Sequence, residues 1–185
     1  MREFEGFGKI PRLSRNCVIT EKIDGTNSQI YIDEDMNISA GSRNRWLTPE
    51  QDNFGFARWV QENKEELLKL GIGRHFGEWW GQGIQRGYDL KEKRFSLFNT
   101  SRWSDESVRP ACCHVVPVLW TGLFDTHVVQ YALDQLALGG SVAAPGFMNP
   151  EGVVVFHVAG NLMFKKTIKN DEVPKGSKEA VCDVF

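Results

Sequence analysis

Long apolar runs are absent from the sequence, and none approaches the ~20 residues that a transmembrane helix needs. The first ten residues, MREFEGFGKI, carry charges at the start and no apolar stretch of the kind that forms a secretory signal. We therefore expect a cytoplasmic protein with no membrane partner. Internal repeats and low-complexity segments are also lacking, and 185 residues suit a single domain over residues 1–185.

Cysteine is scarce, and its spacing argues against a disulfide-rich protein and against a structural zinc protein. Cys112 and Cys113 are adjacent, whereas Cys17 and Cys182 are remote from them and from each other. No second C-x-x-C or H-x-x-H completes a zinc site around them. We therefore expect buried thiols, because free cysteine is among the residues most often buried, and neither a disulfide framework nor a structural zinc.

An excess of positive charge is lacking too, since the net charge is −2. Charge alone therefore gives no global reason to expect a nucleic-acid partner. Two segments differ from the average: residues 86–102 and 162–178 each contain five basic and two acidic residues. These segments could follow a phosphate backbone, or they could be ordinary solvated surface.

Hydrophobic periodicity predicts a mixed fold. Alternating apolar residues predict strands, and apolar residues at helical spacing predict helices over 51–70 and 126–140. The predicted strands include a pair joined by the turn Asp-Gly-Thr-Asn, one long strand and a C-terminal hairpin; they cover 16–23, 27–35, 36–43, 75–81, 94–100, 112–124, 151–159 and 161–168. Runs of strands with few helices between them indicate an α+β fold with antiparallel sheets.

Lys22 lies in the segment Glu-Lys-Ile-Asp-Gly-Thr-Asn, between Glu21 and Asp24. A lysine attacks an electrophile only when neutral, and at an unperturbed pKa near 10.4 only ~0.04% is neutral at pH 7. Carboxylates favour the charged amine, so a nucleophilic role needs positive charge nearby, from the lysines at 165–166 or from a divalent metal. The alternative is a surface turn with a weak ion pair.

Four more residues could serve a nucleotide, although each has an ordinary structural explanation. Glu78 lies among aromatic residues and glycines and suits two ribose hydroxyls, or it is a solvent-facing strand residue. Glu151 precedes three valines at the entry of a buried strand, where a structural role is, taken alone, the more common one. Phe98 offers a flat face to a base or packs in the core, and Arg43 could contact phosphate or be solvated.

The order of these motifs along the chain resembles that of a known enzyme superfamily. The sequence reads K-x-D-G, S-R, F-G-E, an aromatic strand, E-G-V-V-V and then two lysines. This order resembles the covalent nucleotidyltransferase superfamily of polynucleotide ligases and mRNA capping enzymes. It is most similar to the ATP-dependent RNA ligases of the nick-sealing type, over residues 9–169. The resemblance implies a nucleotidyltransferase (ATP-grasp-like) core of antiparallel sheets flanked by helices, and we expect no OB-fold domain in this chain.

The resemblance implies roles in the reaction for four residues. Lys22 would be the nucleophile that takes AMP from ATP as a covalent lysyl-AMP. Glu151 would hold Mg²⁺ or Mn²⁺, directly or through water. Lys165 and Lys166 would hold the α-phosphate.

The resemblance also implies a nucleotide site around these groups. Glu21 would lie near the adenine and Asn27 near the reacting phosphate or the strand ends. Arg43 would contact phosphate or the 3′ end, Glu78 the ribose, and Phe98 would stack on the adenine.

The sequence departs from the family's pattern in two places. Members usually have Lys-x-Lys where this chain has the adjacent Lys165 and Lys166, and neighbouring side chains of a strand point to opposite faces. Either one of the two faces away from the site, or a β-bulge redirects it. The aromatic strand of the family often ends in Phe-Asp, whereas here Asn99 follows Phe98.

The resulting expectation is an ATP-dependent RNA ligase. AMP would pass from Lys22 to the 5′-phosphate of a nucleic acid, RNA being favoured, and a 3′-hydroxyl would then attack to release AMP. Substrate grip would come from the core or from an accessory protein. Two alternatives remain open: a minimal DNA ligase, and an AMP- or ATP-binding protein that joins no ends.

Overall fold

A computed structural model describes residues 3–173 of the chain. The strands of the described part are β1 (Asn16–Lys22), β2 (Thr26–Ile32), β3 (Ile38–Ser42), β4 (Trp46–Leu47), β5 (Gly73–Gly81), β6 (Lys93–Leu97), β7 (Cys113–Val115), β8 (Val118–Leu123), β9 (Gly152–His157) and β10 (Leu162–Thr167). The α-helices are α1 (Phe56–Glu62), α2 (Lys64–Leu67), α3 (Thr100–Trp103) and α4 (Thr126–Gly139). Short 3₁₀ turns cover Leu68–Leu70 and Gly87–Asp89.

The strands form two sheets. One has four antiparallel strands in the order β10-β9-β1-β8, and the other has six in the order β4-β3-β2-β5-β6-β7. The predicted α+β fold with antiparallel sheets is confirmed, except that β6 and β7 pair in parallel. Within residues 3–173 no helix is long and apolar enough to span a membrane.

Each sheet buries one face against helices. Cys17, Ile19, Val153 and Val155 of the four-stranded sheet pack on the buried side of α4. A second cluster joins one face of the six-stranded sheet to α1 and α2, and a smaller third cluster lies around Trp80. The free thiols Cys17 and Cys113 are buried as predicted, whereas Cys112 is half-buried and Cys182 lies outside the described residues.

The predicted helix over 51–70 is shorter and interrupted. Phe54 and Gly55 have positive φ, so α1 begins only at Phe56. Asn63 breaks the helix with φ −106° and ψ 16°, and its side-chain amide donates to the Trp59 carbonyl oxygen at 2.8 Å. Asparagine competes in this way for backbone groups, which is why it is poorly suited to helix interiors.

The predicted strand over 112–124 is wrong as a single element. It is two strands, β7 in the six-stranded sheet and β8 in the four-stranded sheet, separated at Val116–Pro117. Proline has no N–H for a strand ladder, and the Pro117 carbonyl oxygen instead accepts from the Glu21 N–H at 3.0 Å. The chain changes sheets where proline ends the pairing.

A second crossing between the sheets places the site. The chain leaves β1 at Lys22 and enters β2 at Thr26 in the other sheet. Gly25 makes this turn because a Cβ there would lie 2.5 Å from the Trp79 carbonyl oxygen and 2.7 Å from the Trp80 Cβ. Lys22 is thereby held at the junction of the two sheets.

Candidate active site

Lys22 and Glu151 form an ion pair at this junction. Lys22 ends β1 opposite Gly152, the first residue of β9, and its Nζ donates to Glu151 Oε2 at 2.6 Å. The Lys22 side chain is 22% exposed and that of Glu151 is 3% exposed. A partly exposed amine above a buried carboxylate differs from the weak, solvated ion pair of a surface turn, which was the structural alternative.

Glu78 lies beside this pair in the middle of β5. Its Oε1 accepts from the Gly25 N–H at 3.1 Å. Burial, with smaller contributions from the charges of Glu151 and Asp24, raises the pKa of Glu78 to about 7, although the charge of Lys22 and the Gly25 hydrogen bond oppose the rise. Three carboxylates thus influence one another around the single amine of Lys22.

Glu21 points to the other face of β1. Its carboxylate accepts from the Ser141 hydroxyl at 2.6 Å and from the Val142 and Ala143 N–H groups at 2.9 and 2.8 Å. Burial raises the pKa of Glu21, and these three hydrogen bonds oppose that rise. The carboxylate therefore anchors the loop that follows α4, and its predicted place near an adenine stays a prediction.

Asn27, Glu78 and Phe98 share one face of the six-stranded sheet. Asn27 pairs with Glu78 in register, and Glu78 pairs with Ser96, two residues before Phe98. Phe98 is 36% exposed, so its ring is open to a ligand on the face that carries Glu78. The residue that departs from the Phe-Asp pattern, Asn99, caps α3 by accepting from the Arg102 N–H at 3.1 Å.

The adjacent lysines of β10 lie on opposite faces. Lys165 pairs with Val154, which pairs with Thr20, two residues before Lys22 on the same face of β1. Strand spacings put the Lys165 and Lys22 Cα atoms about 12 Å apart, so the two long side chains can converge on one phosphate.

Lys166 has a different environment. It pairs with Val153 of the α4 core, and Ile168, two residues later, packs against the same core. The Lys166 Nζ lies 3.6 Å from Asp171 Oδ2. A regular ladder without a bulge turns Lys166 away from Lys22, in agreement with the expectation that one of the two lysines faces away, and the role of either lysine in holding the phosphate stays a prediction.

Arg43, the remaining predicted residue, is exposed in the turn between β3 and β4. The neighbouring Arg45 folds back and donates to the Gln51 carbonyl oxygen at 2.8 Å. Of the two arginines in this turn, Arg43 is thus the one whose side chain is open to a ligand.

Comparison with known proteins decides the family. The sequence profile described as RNA ligase matches residues 15–169. The chain belongs to the RNA ligase family. No curated protein sequence matches this family member at a significant level.

Solved structures share the fold of this RNA ligase family member. A Naegleria gruberi RNA ligase mutant with ATP and Mn has a TM-score of 0.64 at 22% identity, covering 84% of this chain and 50% of that one. An apo mutant of a Naegleria gruberi RNA ligase has a TM-score of 0.62 at 23% identity, covering 83% and 50%. The chain spans about half the length of these structures, and the likeness concerns the fold.

Arg86 and Tyr88 complete the site and were not predicted. Arg86 Nε donates to Asp24 Oδ2 at 2.9 Å, and its Nη1 donates to the Asn149 and Pro150 carbonyl oxygens at 2.8 and 3.1 Å. The Tyr88 hydroxyl accepts from the Asp24 N–H at 2.7 Å. Arg86 therefore ties the turn after Lys22 to the backbone before Glu151. The only sequence signal was its place in the basic segment 86–102.

Replacing Arg86 with Gln in this family member should loosen the Lys22–Glu151 geometry. We expect the free energy of unfolding to fall by about 2–4 kcal/mol, because a partly buried ion pair and two hydrogen bonds to carbonyls are lost. On the mechanism that the family resemblance implies, covalent labelling of Lys22 by ATP should fall about tenfold, since small displacements at a reacting group are costly. Urea unfolding and single-turnover labelling measure the two effects.

Arg58→Gln is the matched control for Arg86→Gln. Arg58 is 67% exposed and lies 3.6 Å from Asp52, so its loss should change neither measurement appreciably. Wild-type stability and labelling in Arg86→Gln would show that the link to Asp24 does not position the site.

Glu78 predicts a pH dependence of stability. Its pKa is raised from 4.5 to about 7 in the folded protein, so the folded state binds the proton more tightly than the unfolded state. Glu78 therefore costs stability progressively as pH rises through the window 4.5 to about 7, by up to about 3 kcal/mol. Glu78→Gln should remove this loss. Urea unfolding at pH 5 and pH 8 measures it, and an equal pH effect in both proteins would contradict the prediction.

The carboxylates of the site can serve a divalent cation only with outside ligands. Within residues 3–173 no group of three His, Cys, Asp or Glu side chains is arranged as a metal site. Mg²⁺ typically keeps several waters and binds one or two carboxylates plus substrate phosphates, which fits Glu151 with Glu78 nearby.

An open cavity of about 780 Å³ lies between α1 and the end of β5 and is lined by Trp59, Trp79 and Lys93 among others. None of the predicted site residues lines this cavity.

Proposed function

We propose that this protein is an ATP-dependent RNA ligase that works through a covalent lysyl-AMP on Lys22. The observation that carries the proposal is the partly exposed Lys22 amine 2.6 Å from the buried Glu151, with Glu78 beside the pair. Membership of the RNA ligase family supports the reaction class. Neighbouring structures solved with ATP and Mn, or with AMP and Mn, support ATP and Mg²⁺ or Mn²⁺ as cofactors.

In the first step, the neutral Lys22 amine attacks the α-phosphorus of ATP. The new N–P bond forms as the bond to the β-phosphate oxygen breaks, and pyrophosphate leaves. Glu151 Oε2, at 2.6 Å from Nζ, is placed to accept the proton that Lys22 releases. A divalent cation, when bound, supplies neutralisation of phosphate charge. Lys165 adds positive charge from the same face of the sheet.

In the later steps, AMP passes from Lys22 to the 5′-phosphate of the substrate, and the N–P bond breaks. The 3′-hydroxyl of the other end then attacks that 5′-phosphate, a phosphodiester forms and AMP leaves. The residues of the site serve mainly by positioning and by electrostatics, as in other phosphoryl transfers.

We propose that the face of the six-stranded sheet beside Lys22 binds the nucleotide. Glu78 accepts from the ribose hydroxyls, and Phe98 stacks on the adenine from the same face. Asn27, opposite Glu78, and the exposed Arg43 contact phosphate or strand ends. Glu21 supports the adenine site from the 141–144 loop. The two sheets together would be one nucleotidyltransferase core acting as a single adenylyltransferase domain.

The test is labelling with α-³²P-ATP and Mg²⁺ or Mn²⁺, followed by denaturation. We expect label that survives denaturation and that moves to a 5′-phosphorylated RNA on addition of substrate. Nicked RNA, nicked DNA and a hybrid are then compared, and we expect the RNA nick to be sealed fastest. Faster sealing of DNA would identify a DNA ligase. The absence of label would leave a nucleotide-binding protein and reject the proposal.

A further inference from the structure

The nucleotide face of the six-stranded sheet continues into an exposed patch of aromatic residues around one arginine. We call it the aromatic–arginine surface, and it consists of Gln29, Tyr31, Trp46, Arg74 and Phe76. Trp46 is 50% exposed and Phe76 is 47% exposed. Exposed aromatic residues grouped on one face are unusual on a soluble protein and indicate a binding surface.

Arg74 is fixed at the centre of this surface. Its Cζ lies 4.8 Å from the centroid of the Tyr31 ring and 5.3 Å from that of Trp46. Its Nη1 donates to Gln29 Oε1 at 2.9 Å. Within residues 3–173 its guanidinium forms no ion pair with a carboxylate. A stacked, ordered cation whose charge is not neutralised suits a phosphate group.

The surface is continuous with the proposed nucleotide site. Tyr31 pairs with Arg74 on the same two strands where Asn27 pairs with Glu78. The two pairs are four residues apart, so they lie on one face and about 13 Å from each other. A strand spans about 3.4 Å per nucleotide when stacked as in a duplex and more when its bases are unstacked, so that distance corresponds to at most about four nucleotides.

We propose that the aromatic–arginine surface binds an unpaired stretch of the substrate strand, such as an overhang or a frayed end, within about four nucleotides of the ends being joined. The inference rests on the proposed ligase function. Trp46 and Phe76 would stack on bases, and Arg74 would contact a phosphate. Base faces are open to such stacking in single strands, whereas in a duplex they are covered by neighbouring bases. This is why we infer single-stranded character here.

The binding test uses fluorescent single-stranded RNA of twelve nucleotides with the full chain and its variants. Trp46→Ala and Arg74→Gln should each raise Kd about tenfold. Arg74→Gln should also lower the slope of log K against log salt concentration by about 0.7, as for one lost phosphate contact. Tyr131→Ala and Arg58→Gln are the matched controls, an exposed tyrosine on α4 and an exposed arginine on α1, and should bind like the wild type.

The length of the unpaired strand arm distinguishes binding at this surface from the reaction at Lys22. We expect Trp46→Ala to slow sealing about tenfold when the unpaired arm next to the join is longer than about four nucleotides, and to have no effect when that arm is a single nucleotide. Covalent labelling by ATP should be unchanged, because the Trp46 ring packs against Tyr31 and Arg74, which lie outside the Lys22–Glu151 pair and Glu78.

Three results would overturn the inference: wild-type affinity in both variants, equal effects on short and long arms, or a dimer that Trp46→Ala dissolves without changing RNA binding. The proposed function fails separately. If lysyl-AMP never forms but Trp46→Ala and Arg74→Gln still weaken RNA binding, the surface stands and the ligase does not. If lysyl-AMP forms and the variants bind RNA normally, the proposed ligase function stands and the proposed RNA-binding surface does not.

Discussion

Lys22→Arg is expected to fold normally and to lose covalent labelling by ATP by at least about a thousandfold. Arginine keeps a positive charge above Glu151 and so satisfies the buried carboxylate, which is only 3% exposed. A guanidinium stays protonated in proteins and cannot supply the electron pair that forms the N–P bond. Stability should therefore be retained while the reaction is lost. Gel detection of label after denaturation, with urea unfolding in parallel, measures both.

Lys22→Ala is the second arm of this experiment. It should also lose the label, but it leaves Glu151 without the Lys22 amine and should destabilise the fold by about 3 kcal/mol. If Lys22→Arg retained the label, the nucleophile would be another residue. If Lys22→Arg unfolded, the ion pair would be a structural element that requires the lysine geometry.

The elements that were predictable are those set by local patterns. Alternation of apolar and polar residues located β1, β2 and the β9–β10 hairpin, and helical spacing located α4. The errors lie at single residues that act against the surrounding pattern. Pro117 ends a strand pairing and sends the chain to the other sheet, and Asn63 interrupts a helix whose apolar spacing continues past it.

The site was predictable to the extent that its members lie in short motifs. Lys22, Glu78 and Glu151 were named from the sequence, and the structure brings them together. Arg86 and Tyr88 were missed because their contacts join residues 62–64 positions apart in the chain. Contacts of that length depend on how the two sheets meet, and composition or spacing along one segment does not reveal them.

The structure shows where the carboxylates that favour a charged Lys22 amine lie. Asp24, which flanks it in sequence, is held by Arg86 at 2.9 Å, and Glu21 is turned into the loop after α4. The carboxylate that contacts the amine is the distant Glu151. Whether the amine can become a nucleophile therefore depends on transfer of its proton to Glu151 and on added positive charge on that face, and the lysines of β10 are the next residues to test.

Lys165→Ala should reduce covalent labelling about a hundredfold, whereas Lys166→Ala should reduce it less than about threefold. The strand register places Lys165 on the face of Lys22 and Lys166 on the face of α4. A cation that faces a phosphate stabilises the charge that develops during transfer, and one on the opposite face of a sheet does not. Single-turnover labelling at saturating ATP compares the variants.

The two substitutions control for each other. Both remove one positive charge from the same strand, so a general change in net charge would affect them equally. Lys166→Ala also removes the 3.6 Å pair with Asp171, which at 38% and 35% exposure should contribute less than about 1 kcal/mol to stability. Equal losses of labelling would indicate a general effect of net charge, whereas a larger loss in Lys166→Ala would mean that β10 shifts or bulges when ATP binds. In that case Lys166, and not Lys165, would hold the α-phosphate opposite Lys22.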